Sequence, residues 1–487
     1  MSKIELKTEP SLDGEVIEGP FYEAAKKVYP RHVSGFFRQV KWAVLVVALS
    51  VYYLLPFVRW NRGPDLPSQG VLVDLAHRRF YFFWIEIWPQ EVYYFTGLLI
   101  IAGMTLFLMN ALAGRVWCGY MCPQTVWTDL FMTVERWIEG DRRERMMRDA
   151  APHGFDWWRL KAGKHAVWLF LAWWTGGAWV LYFADAPRLV VSLFTFQAPF
   201  VAYGAIGVLT LTTYVFAGFM REQVCLYMCP WPRIQAALID EHALNVSYHY
   251  DRGEPRMSLK KAKAAEGHGE KVGDCIDCTY CVEVCPTGVD IRKGPSLGCI
   301  QCGLCIDACD SVMDKINRPT RLIAYNTDVN IKRHGEGLPP VYNLIRPRTV
   351  LYSVVIAFVG SVMLYALTSR TDAGLSALHD RNPLFTKLSD GTIRNGYELR
   401  IANKAPRTRR FWLELTGLGG RIEVVGASGG GRAPSFEVGP DQTREVRVLV
   451  STPIAPAAAS TPVTFQIVGS DDGVAAKAKD FFRSGGQ

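Results

Sequence analysis

The sequence predicts a multi-domain membrane protein, and three observations lead to this fold class. Long apolar runs recur along the first three quarters of the chain, a cysteine-rich stretch precedes the last of them, and alternating apolar and polar residues follow Asp380. The 487 residues are enough for two or three domains. A hydrophobic content of 49% is high for a soluble protein and low for a chain buried entirely in lipid. We therefore expect membrane helices that carry soluble domains.

Five apolar runs are long enough to cross a bilayer, whose hydrocarbon core of ~30 Å takes about 20 helical residues. These runs are Trp42–Val58, Val92–Ala113, Ala166–Ala184, a stretch within Leu189–Phe219, and Thr349–Thr368. The fourth run contains Pro199 and exceeds one crossing, so we expect its crossing near Val201–Phe219. The aromatic run Phe80–Trp88 has charged neighbours and is expected at the membrane interface.

Basic residues predict the orientation of these helices. The loop after the second run carries an arginine cluster (Arg142, Arg143, Arg145 and Arg148), whereas the short loop after the third run holds only Arg188. Because positive charge favours cytoplasmic loops, residues 1–40, 114–164 and 221–348 are expected in the cytoplasm. Five crossings place residues 369–487 on the opposite side. The net charge of +8 forms no basic stripe with interleaved aromatics, so we expect no nucleic-acid binding.

This pattern divides the chain into five segments. They are a cytoplasmic N-terminal segment (1–40), a membrane domain of four spans (41–220), a cytoplasmic cysteine-rich domain (221–348), a fifth span (349–368) and an extracytoplasmic domain (369–487). In the last segment, period-2 alternation predicts strands at Tyr397–Ile401, Phe411–Leu415, Glu445–Val450 and Val463–Val468, separated by glycine-rich turns such as 428–431 and 439–441. Short strands at this spacing predict an immunoglobulin-like β-sandwich, with a docking role or a passive one.

Eight of the twelve cysteines form two runs of identical spacing. The first run is Cys275, Cys278, Cys281 and Cys285, followed by proline, and the second is Cys299, Cys302, Cys305 and Cys309. This 2-2-3 spacing is typical of [4Fe–4S] ligands in two-cluster ferredoxins, where the fourth cysteine of each run ligates the other cluster. We therefore expect a ferredoxin-like insert in which Cys275, Cys278, Cys281 and Cys309 hold one cluster and Cys299, Cys302, Cys305 and Cys285 the other.

Zinc is the alternative occupant, because Cys-x2-Cys is also a zinc spacing. Zinc sites use pairs of cysteines rather than runs of four, so the duplicated run favours clusters. Asp310 stands where proline would usually follow the second run, and its charge is expected to shift the potential of the cluster held by Cys309.

The remaining four cysteines lie in a smaller repeat, Cys-x-Tyr-Met-Cys-Pro. One copy, Cys118 to Pro123, follows the second apolar run, and the other, Cys225 to Pro230, follows the fourth. If the helix continued through the motif, its two cysteines would share one face. The proline instead indicates that a helix ends there. Four thiolates meeting at two helix ends, with Met121 and Met228 as thioethers, would favour Cu(I) over harder ions.

Spacing alone leaves the role of this repeat open. A lone cysteine in an apolar helix is usually a packing residue, whereas two near-identical copies at equivalent positions indicate a function. Copper binding, thiol–disulfide chemistry and a further metal centre are all compatible with the residues. We expect Tyr120 and Tyr227 to be interfacial anchors.

Taken together, these features resemble the cytochrome c oxidase accessory proteins CcoG, FixG and RdxA. The insert and the paired Cys-x3-Cys-Pro motifs also resemble NapH- and NosR-type membrane ferredoxins, but the final span and β-domain favour the former family. The resemblance implies a bacterial inner-membrane protein with a periplasmic C-terminal domain. It further implies reduction of Cu(II) to Cu(I) for assembly of a cbb-type oxidase, with Cys118, Cys122, Cys225 and Cys229 as the copper-handling, catalytic thiols.

Oxidase assembly factors or copper carriers are the partners this resemblance implies, and the sequence does not reveal the electron donor. Two other functions remain open. One is a quinol-linked relay that passes electrons to an extracytoplasmic reductase. The other is a non-catalytic assembly scaffold whose clusters are structural or sensory.

Overall fold

The computed structural model describes residues 27–63, 66–405, 407–425, 434–440, 442–453, 456, 458–469 and 473–484. Its helices are α1 (Phe36–Leu54), α2 (Tyr93–Ala113), α3 (Val116–Tyr120), α4 (Pro123–Glu139), α5 (Arg142–Ala150), α6 (Phe155–Val180), α7 (Ala186–Phe194), α8 (Phe200–Thr213), α9 (Arg221–Gln223), α10 (Trp231–Leu238), α11 (Tyr250–Gly253), α12 (Leu259–Gly267), α13 (Tyr280–Glu283), α14 (Leu304–Lys315), α15 (Asp328–Gly335) and α16 (Pro347–Thr368).

Within the described residues, the strands form four antiparallel sheets. They are β1 (Val71–Asp74), β2 (Arg79–Phe82), β3 (Ile85–Ile87), β4 (Asn245–Tyr248), β5 (Ile323–Asn326), β6 (Ala373–His379), β7 (Thr386–Lys387), β8 (Ile393–Asn403), β9 (Arg409–Thr416), β10 (Arg421–Val424), β11 (Ser435–Val438), β12 (Gln442–Thr452), β13 (Ser460–Gly469) and β14 (Gly473–Arg483). The run expected at the membrane interface, Phe80–Trp88, contains most of β2 and all of β3, which form a three-stranded sheet with β1.

Four of the described helical segments are long and apolar enough to cross a membrane. They are Phe36–Phe57, Tyr93–Ala113, Phe200–Met228 and Pro347–Thr368. They match four of the five expected spans, but the first begins six residues earlier than expected and therefore includes Arg38 and Lys41. The third extends past Phe219 because π-helical turns continue it through Tyr214–Met220 and Val224–Met228. The second cysteine motif thus begins inside this helical segment.

The remaining expected span, Ala166–Ala184, corresponds to helix α6, which is less apolar than these four segments. Its 26 residues are long enough, but Lys161 and Lys164 lie in its first half, and tryptophans and glycines dilute the rest. Glycine permits close packing along α6. A Cβ at Gly176 would lie 3.0 Å from the Ile206 carbonyl oxygen, and Trp168 packs against Gly218. Helix α6 therefore runs alongside the candidate span Phe200–Met228.

The chain divides into two compact units, each assembled from three separate stretches of sequence. The first unit comprises residues 1–53, 103–180 and 198–353, and it contains all twelve cysteines. The second comprises residues 54–102, 181–197 and 354–487.

Most of the second unit is a β-sandwich, as the alternation predicted. One sheet has the order β10–β12–β8–β6, with β7 also paired to β8, and the other has the order β11–β9–β13–β14. The inward side chains of both sheets form one core, which includes fully buried Tyr397, Phe411, Phe465 and Phe482. All four segments predicted from alternation lie within strands. The predicted turn at 428–431 and Asp441 of the turn at 439–441 lie outside the described residues.

Candidate iron–sulfur and thiolate centres

The two cysteine runs adopt loops of the same backbone conformation. The second and fourth residues after the first cysteine have positive φ angles, from 53° to 75°: Asp277 and Thr279 in one loop, Gln301 and Gly303 in the other. A helix begins directly after each loop. Left-handed residues turn successive backbone amides toward one side, which is the concave arrangement that binds anionic iron–sulfur centres.

Thiols from both cysteine runs meet at one small cavity. This cavity is lined by Cys281 and Cys285 of the first run and by Cys299, Cys302 and Cys305 of the second. Cys285, the last cysteine of the first run, therefore lies with the first three cysteines of the second. This is the grouping that crossed ligation requires.

The reciprocal grouping is also present. Cys309, the last cysteine of the second run, lies in the electrostatic neighbourhood of Cys275, Cys278 and Cys281. Asp310 acts on Cys309 as well, and its carboxylate accepts the backbone N–H of Arg321 at 2.7 Å. The assignment of each thiol to a particular cluster remains a prediction. The arrangement of the two loops is compatible with it.

Burial makes several of these thiols, Cys281 and Cys299 among them, poor acids unless positive charge is bound to them. Desolvation raises the pKa of the Cys281 and Cys299 thiols to about 12. A thiolate at such a position is stabilised by the iron that it ligates. The eight cysteines, with amides turned toward them, therefore suit two [4Fe–4S] clusters, which would supply one-electron redox chemistry.

Each Cys-x-Tyr-Met-Cys-Pro motif marks a break between two helices, as its proline indicated. Cys122 and Cys229 adopt extended conformations directly before Pro123 and Pro230. In both copies, the N–H of this second cysteine donates to the carbonyl five residues earlier, that of Trp117 or Val224, at 2.9 and 2.8 Å. The two copies therefore share a local structure.

The four thiols of these motifs, here called the membrane quartet, are neighbours. Cys225 lies within electrostatic range of Cys118, Cys122 and Cys229. Buried Cys118 donates from Sγ to Oε1 of Gln235, 3.3 Å away, and desolvation raises its pKa to about 11.

No single-ion site is preformed in the part of the chain that the structure describes: no three His, Cys, Asp or Glu side chains are grouped closely enough to hold a metal ion. Cluster ligands need not meet that criterion, since each thiolate of a cubane binds a different iron. A Cu(I) ion held by two sulfur atoms would not need three convergent ligands either. Met121 and Met228 are about half exposed, at 48% and 52%.

The first motif packs directly on the loop of the second cysteine run. The Tyr120 hydroxyl donates to the Cys302 carbonyl at 2.9 Å, and the Arg115 N–H donates to Oε1 of Gln301 at 2.7 Å. A Cβ at Gly119 would lie only 2.8 Å from the Ile300 carbonyl oxygen. Tyr120, expected as an interfacial anchor, is instead buried in this contact, whereas Tyr227 is 75% exposed. The membrane quartet thus adjoins a cluster-binding loop.

A buried charge cluster lies beside the same loop. Nη1 of Arg38 contacts both carboxylate oxygens of Asp129 at 2.9 and 3.0 Å, and Nζ of Lys41 lies 3.9 Å from Asp129. Burial would raise the pKa of Asp129, but the two cations hold it below its ordinary value. Lys41 is 2% exposed and lines a small cavity that also contacts Cys225 and Ile300.

Sequence reasoning missed two of these residues, Lys41 and Gln235. Lys41 directly precedes the apolar run Trp42–Val58, and this was a usable signal, since a charge carried into a membrane helix is costly unless it has a role. Gln235 carried no signal, because nothing local distinguishes it from a surface glutamine.

Three family models match the chain in the regions just described. A 4Fe-4S binding domain matches residues 95–140, a 4Fe-4S dicluster domain matches 220–328, and the "IG-like fold at C-terminal of FixG" matches 363–485. With the apolar helices, these matches define the chain as a membrane-bound iron–sulfur redox protein.

Sequence relatives then identify the family. The nitrogen fixation protein FixG of Rhizobium meliloti (strain 1021) is 50% identical over 475 residues, covering 91% of this chain and 90% of its own. RdxA of Cereibacter sphaeroides is 49% identical over 89% of this chain and 91% of its own, and RdxB of the same organism is 50% identical over 81% and 83%. The chain belongs to the FixG/RdxA family, as the sequence resemblance implied.

Proposed function

We propose that this protein reduces Cu(II) to Cu(I) with electrons from its iron–sulfur clusters, in support of cbb-type cytochrome c oxidase assembly. The observation that carries the proposal is the packing of the first Cys-x-Tyr-Met-Cys-Pro motif on the loop of Cys299 to Cys309. Soft sulfur ligands therefore lie directly beside a one-electron centre, and Cu(II) is a one-electron acceptor. Thiolate and thioether ligands then stabilise the product, Cu(I), over harder ions.

The copper-handling residues in this proposal are the four thiols of the membrane quartet, with Met121 and Met228 as accessory thioether ligands. The exposure of both methionines leaves them accessible to an incoming ion. Oxidase assembly factors or copper carriers are the proposed recipients of Cu(I).

The decisive experiment starts from anaerobically purified, full-length protein reduced with dithionite and freed of excess reductant. Cu(II) is then added in the presence of a Cu(I)-specific chelator, and cluster reoxidation and chelated Cu(I) are followed together. One Cu(I) per electron lost supports the proposal. Reduced clusters that leave Cu(II) untouched would favour the relay to another acceptor, and a cluster-free variant that still supports oxidase assembly would favour the scaffold.

The double variant Cys122→Ser/Cys229→Ser tests the membrane quartet. It should leave both clusters intact by absorbance and spin resonance but lower Cu(I) affinity and slow Cu(II) reduction. If the thiols act as a unit, the double change costs little more than one change alone, since residues that share a site are non-additive. Tyr227→Phe is the matched control, because Tyr227 lies in the second motif, is exposed, and its replacement leaves all four thiols in place. Full reductase activity in the double variant would reject this site.

We also propose five crossings, with α6 as the third span because it runs alongside the candidate span Phe200–Met228. The N-terminus and cysteine loops then face the cytoplasm of a bacterial inner membrane, and the β-sandwich faces the periplasm. A reporter that works only outside the cytoplasm should be active after the last residue and inactive near Gly294. Activity at both positions, or only near Gly294, would overturn this orientation.

A further inference from the structure

We propose that a cavity beside Cys299 binds a lipophilic hydroquinone, a membrane quinol, which donates the electrons used by this protein. This inference rests on the proposed function in that it names the electron donor of the same redox chain. The cavity has a volume of about 510 Å³ and lies within the first unit. That volume falls within the usual range for small-molecule sites.

The cavity adjoins a predicted cluster ligand. Cys299 and Gln301 of the second cysteine loop both line it, and Cys299 also lines the small cavity that Cys281, Cys285, Cys302 and Cys305 share. An occupant would therefore contact the same residue that is expected to ligate the second cluster. No other group needs to intervene between the donor and its acceptor.

The cavity also lies at the ends of two candidate membrane spans. Arg115 lines it and follows the end of α2 by two residues. Asp240 lines it as well, and pairs with Arg346, which directly precedes α16. Leu297, at 52% exposure, is a cavity residue that faces solvent or lipid. A ring-bearing amphiphile partitioned into the membrane would reach this position from the bilayer.

The lining suits a neutral, partly apolar ring. Apolar and aromatic side chains such as Val246, Tyr248 and Ile291 line the cavity together with the neutral polar side chains of Asn245, Ser247 and Gln301. Such a mixture of apolar surface and a few hydrogen-bonding groups is typical of sites for small organic ligands.

Charged donors such as nucleotides fit this cavity poorly. Arg115 already donates to Gln235 and the Leu297 carbonyl, and Arg292 is paired with Asp290 and Asp277. Three carboxylates, Asp240, Glu241 and Asp328, also line the cavity and would repel a phosphate. A two-electron donor without phosphate groups is therefore favoured.

Oxidation of the hydroquinone balances with the groups present. Two O–H bonds break, quinone forms, and two electrons leave for the two one-electron centres that the eight cysteines would hold. The two protons pass to carboxylates and then to water. Burial raises the pKa of Asp328, which makes this carboxylate a better proton acceptor, and Glu241 beside it reaches solvent.

The test is reduction of the full-length holoprotein by a short-chain ubiquinol or menaquinol, without oxygen or copper. Reduction is monitored as the bleaching of the absorbance of the clusters. An azido-quinone photolabel on the same protein provides a direct binding readout. We expect cluster reduction, and labelled peptides from residues 236–250 or 291–301. Labelling elsewhere, or no reduction by either quinol, would overturn the proposal.

Filling the cavity provides the matched variants. Ala236 lines the cavity from α10 and is exposed, so Ala236→Trp should fold normally and lower both the reduction rate and the labelling by about tenfold or more. Ala237→Trp adds the same group one residue on, where it does not line the cavity, and should change neither. Equal behaviour of the two variants would refute the site.

These outcomes separate the donor from the proposed function. Ala236→Trp reduced with dithionite should reduce Cu(II) normally. If quinol fails to reduce the wild-type protein while the dithionite-reduced protein reduces Cu(II), only the quinol site is wrong. If quinol reduces the clusters but Cu(II) is not reduced, the copper function is wrong and the donor site stands.

Discussion

Replacing Gly119 by alanine tests the contact between the first Cys-x-Tyr-Met-Cys-Pro motif and the second cysteine loop. Gly119 lies in helix α3, where alanine would normally be favoured by up to about 1 kcal/mol through helix propensity. Its added Cβ would, however, lie 2.8 Å from the Ile300 carbonyl oxygen, 3.1 Å from Cα of Cys302 and 3.1 Å from the Gln301 carbonyl oxygen. All three neighbours are backbone atoms and cannot move aside as a flexible side chain would.

The clash should therefore outweigh the propensity gain. Overpacking a well-packed contact costs about 1–3 kcal/mol and the propensity gain is at most about 1 kcal/mol, so we expect a net loss of up to about 2 kcal/mol in the free energy of unfolding. The motif and the cysteine loop can also relieve the clash by separating. That movement would displace Cys302 and alter the spin-resonance spectrum of the cluster that Cys302 is expected to ligate.

The assay compares Gly119→Ala with Gly103→Ala in detergent, by thermal unfolding and by spin resonance of the reduced protein. Gly103 lies in helix α2, and a Cβ there would have no neighbour within 4 Å, so only the propensity gain applies. We expect an apparent Tm lowered by a few degrees and an altered cluster signal for Gly119→Ala alone. If both variants show unchanged or raised Tm and identical spectra, the tight contact described here is wrong.

Three further predictions concern charge, ligation and pH. Lys41→Met should lower the midpoint potential of the cluster near Cys302 by on the order of tens of millivolts in a redox titration, because a buried cation stabilises the reduced form. Lys41→Arg keeps the charge and should leave the potential unchanged. An unchanged potential in Lys41→Met would contradict the argument. Cys281→Ser and Cys305→Ser should each disturb a different one of two spin-resonance signals, and zinc without labile sulfide in the wild type would disprove both assignments. The Arg59 hydrogen bond holds the pKa of Asp185 below its ordinary value, so this pair stabilises the fold above about pH 4 and loses that contribution as the pH falls further. Thermal melts should show a weaker loss on acidification for Asp185→Asn, and an unchanged acid limb would count against the pair.

Much of this architecture could be predicted because its signals are local. Apolar runs of membrane length, a proline after each second motif cysteine, and period-2 alternation in the C-terminal domain all act over a few neighbouring residues. The structure accordingly has helices in all five expected spans, breaks at Cys122 and Cys229, and strands at all four alternating segments. The predicted helix bounds were wrong where polar residues interrupt an apolar run. The helical segments at the first and fourth expected spans extend beyond the expected bounds, to Phe36 and to Met228.

The sequence by itself determined which metal-ligating side chains this protein offers, since cysteine spacing dictates which thiols share a loop. Glycine or left-handed residues permit the turns between those thiols. Only the tertiary structure decided which loops meet. Contacts between Gly119 and Ile300, between Cys118 and Gln235, and between Arg38 and Asp129 join residues that are far apart along the chain. Such contacts arise from burying surface that distant segments share, and the free energy of that burial depends on the whole packed arrangement. No local pattern records it, so the juxtaposition of the membrane quartet with a cluster-binding loop could be seen only once the chain was folded.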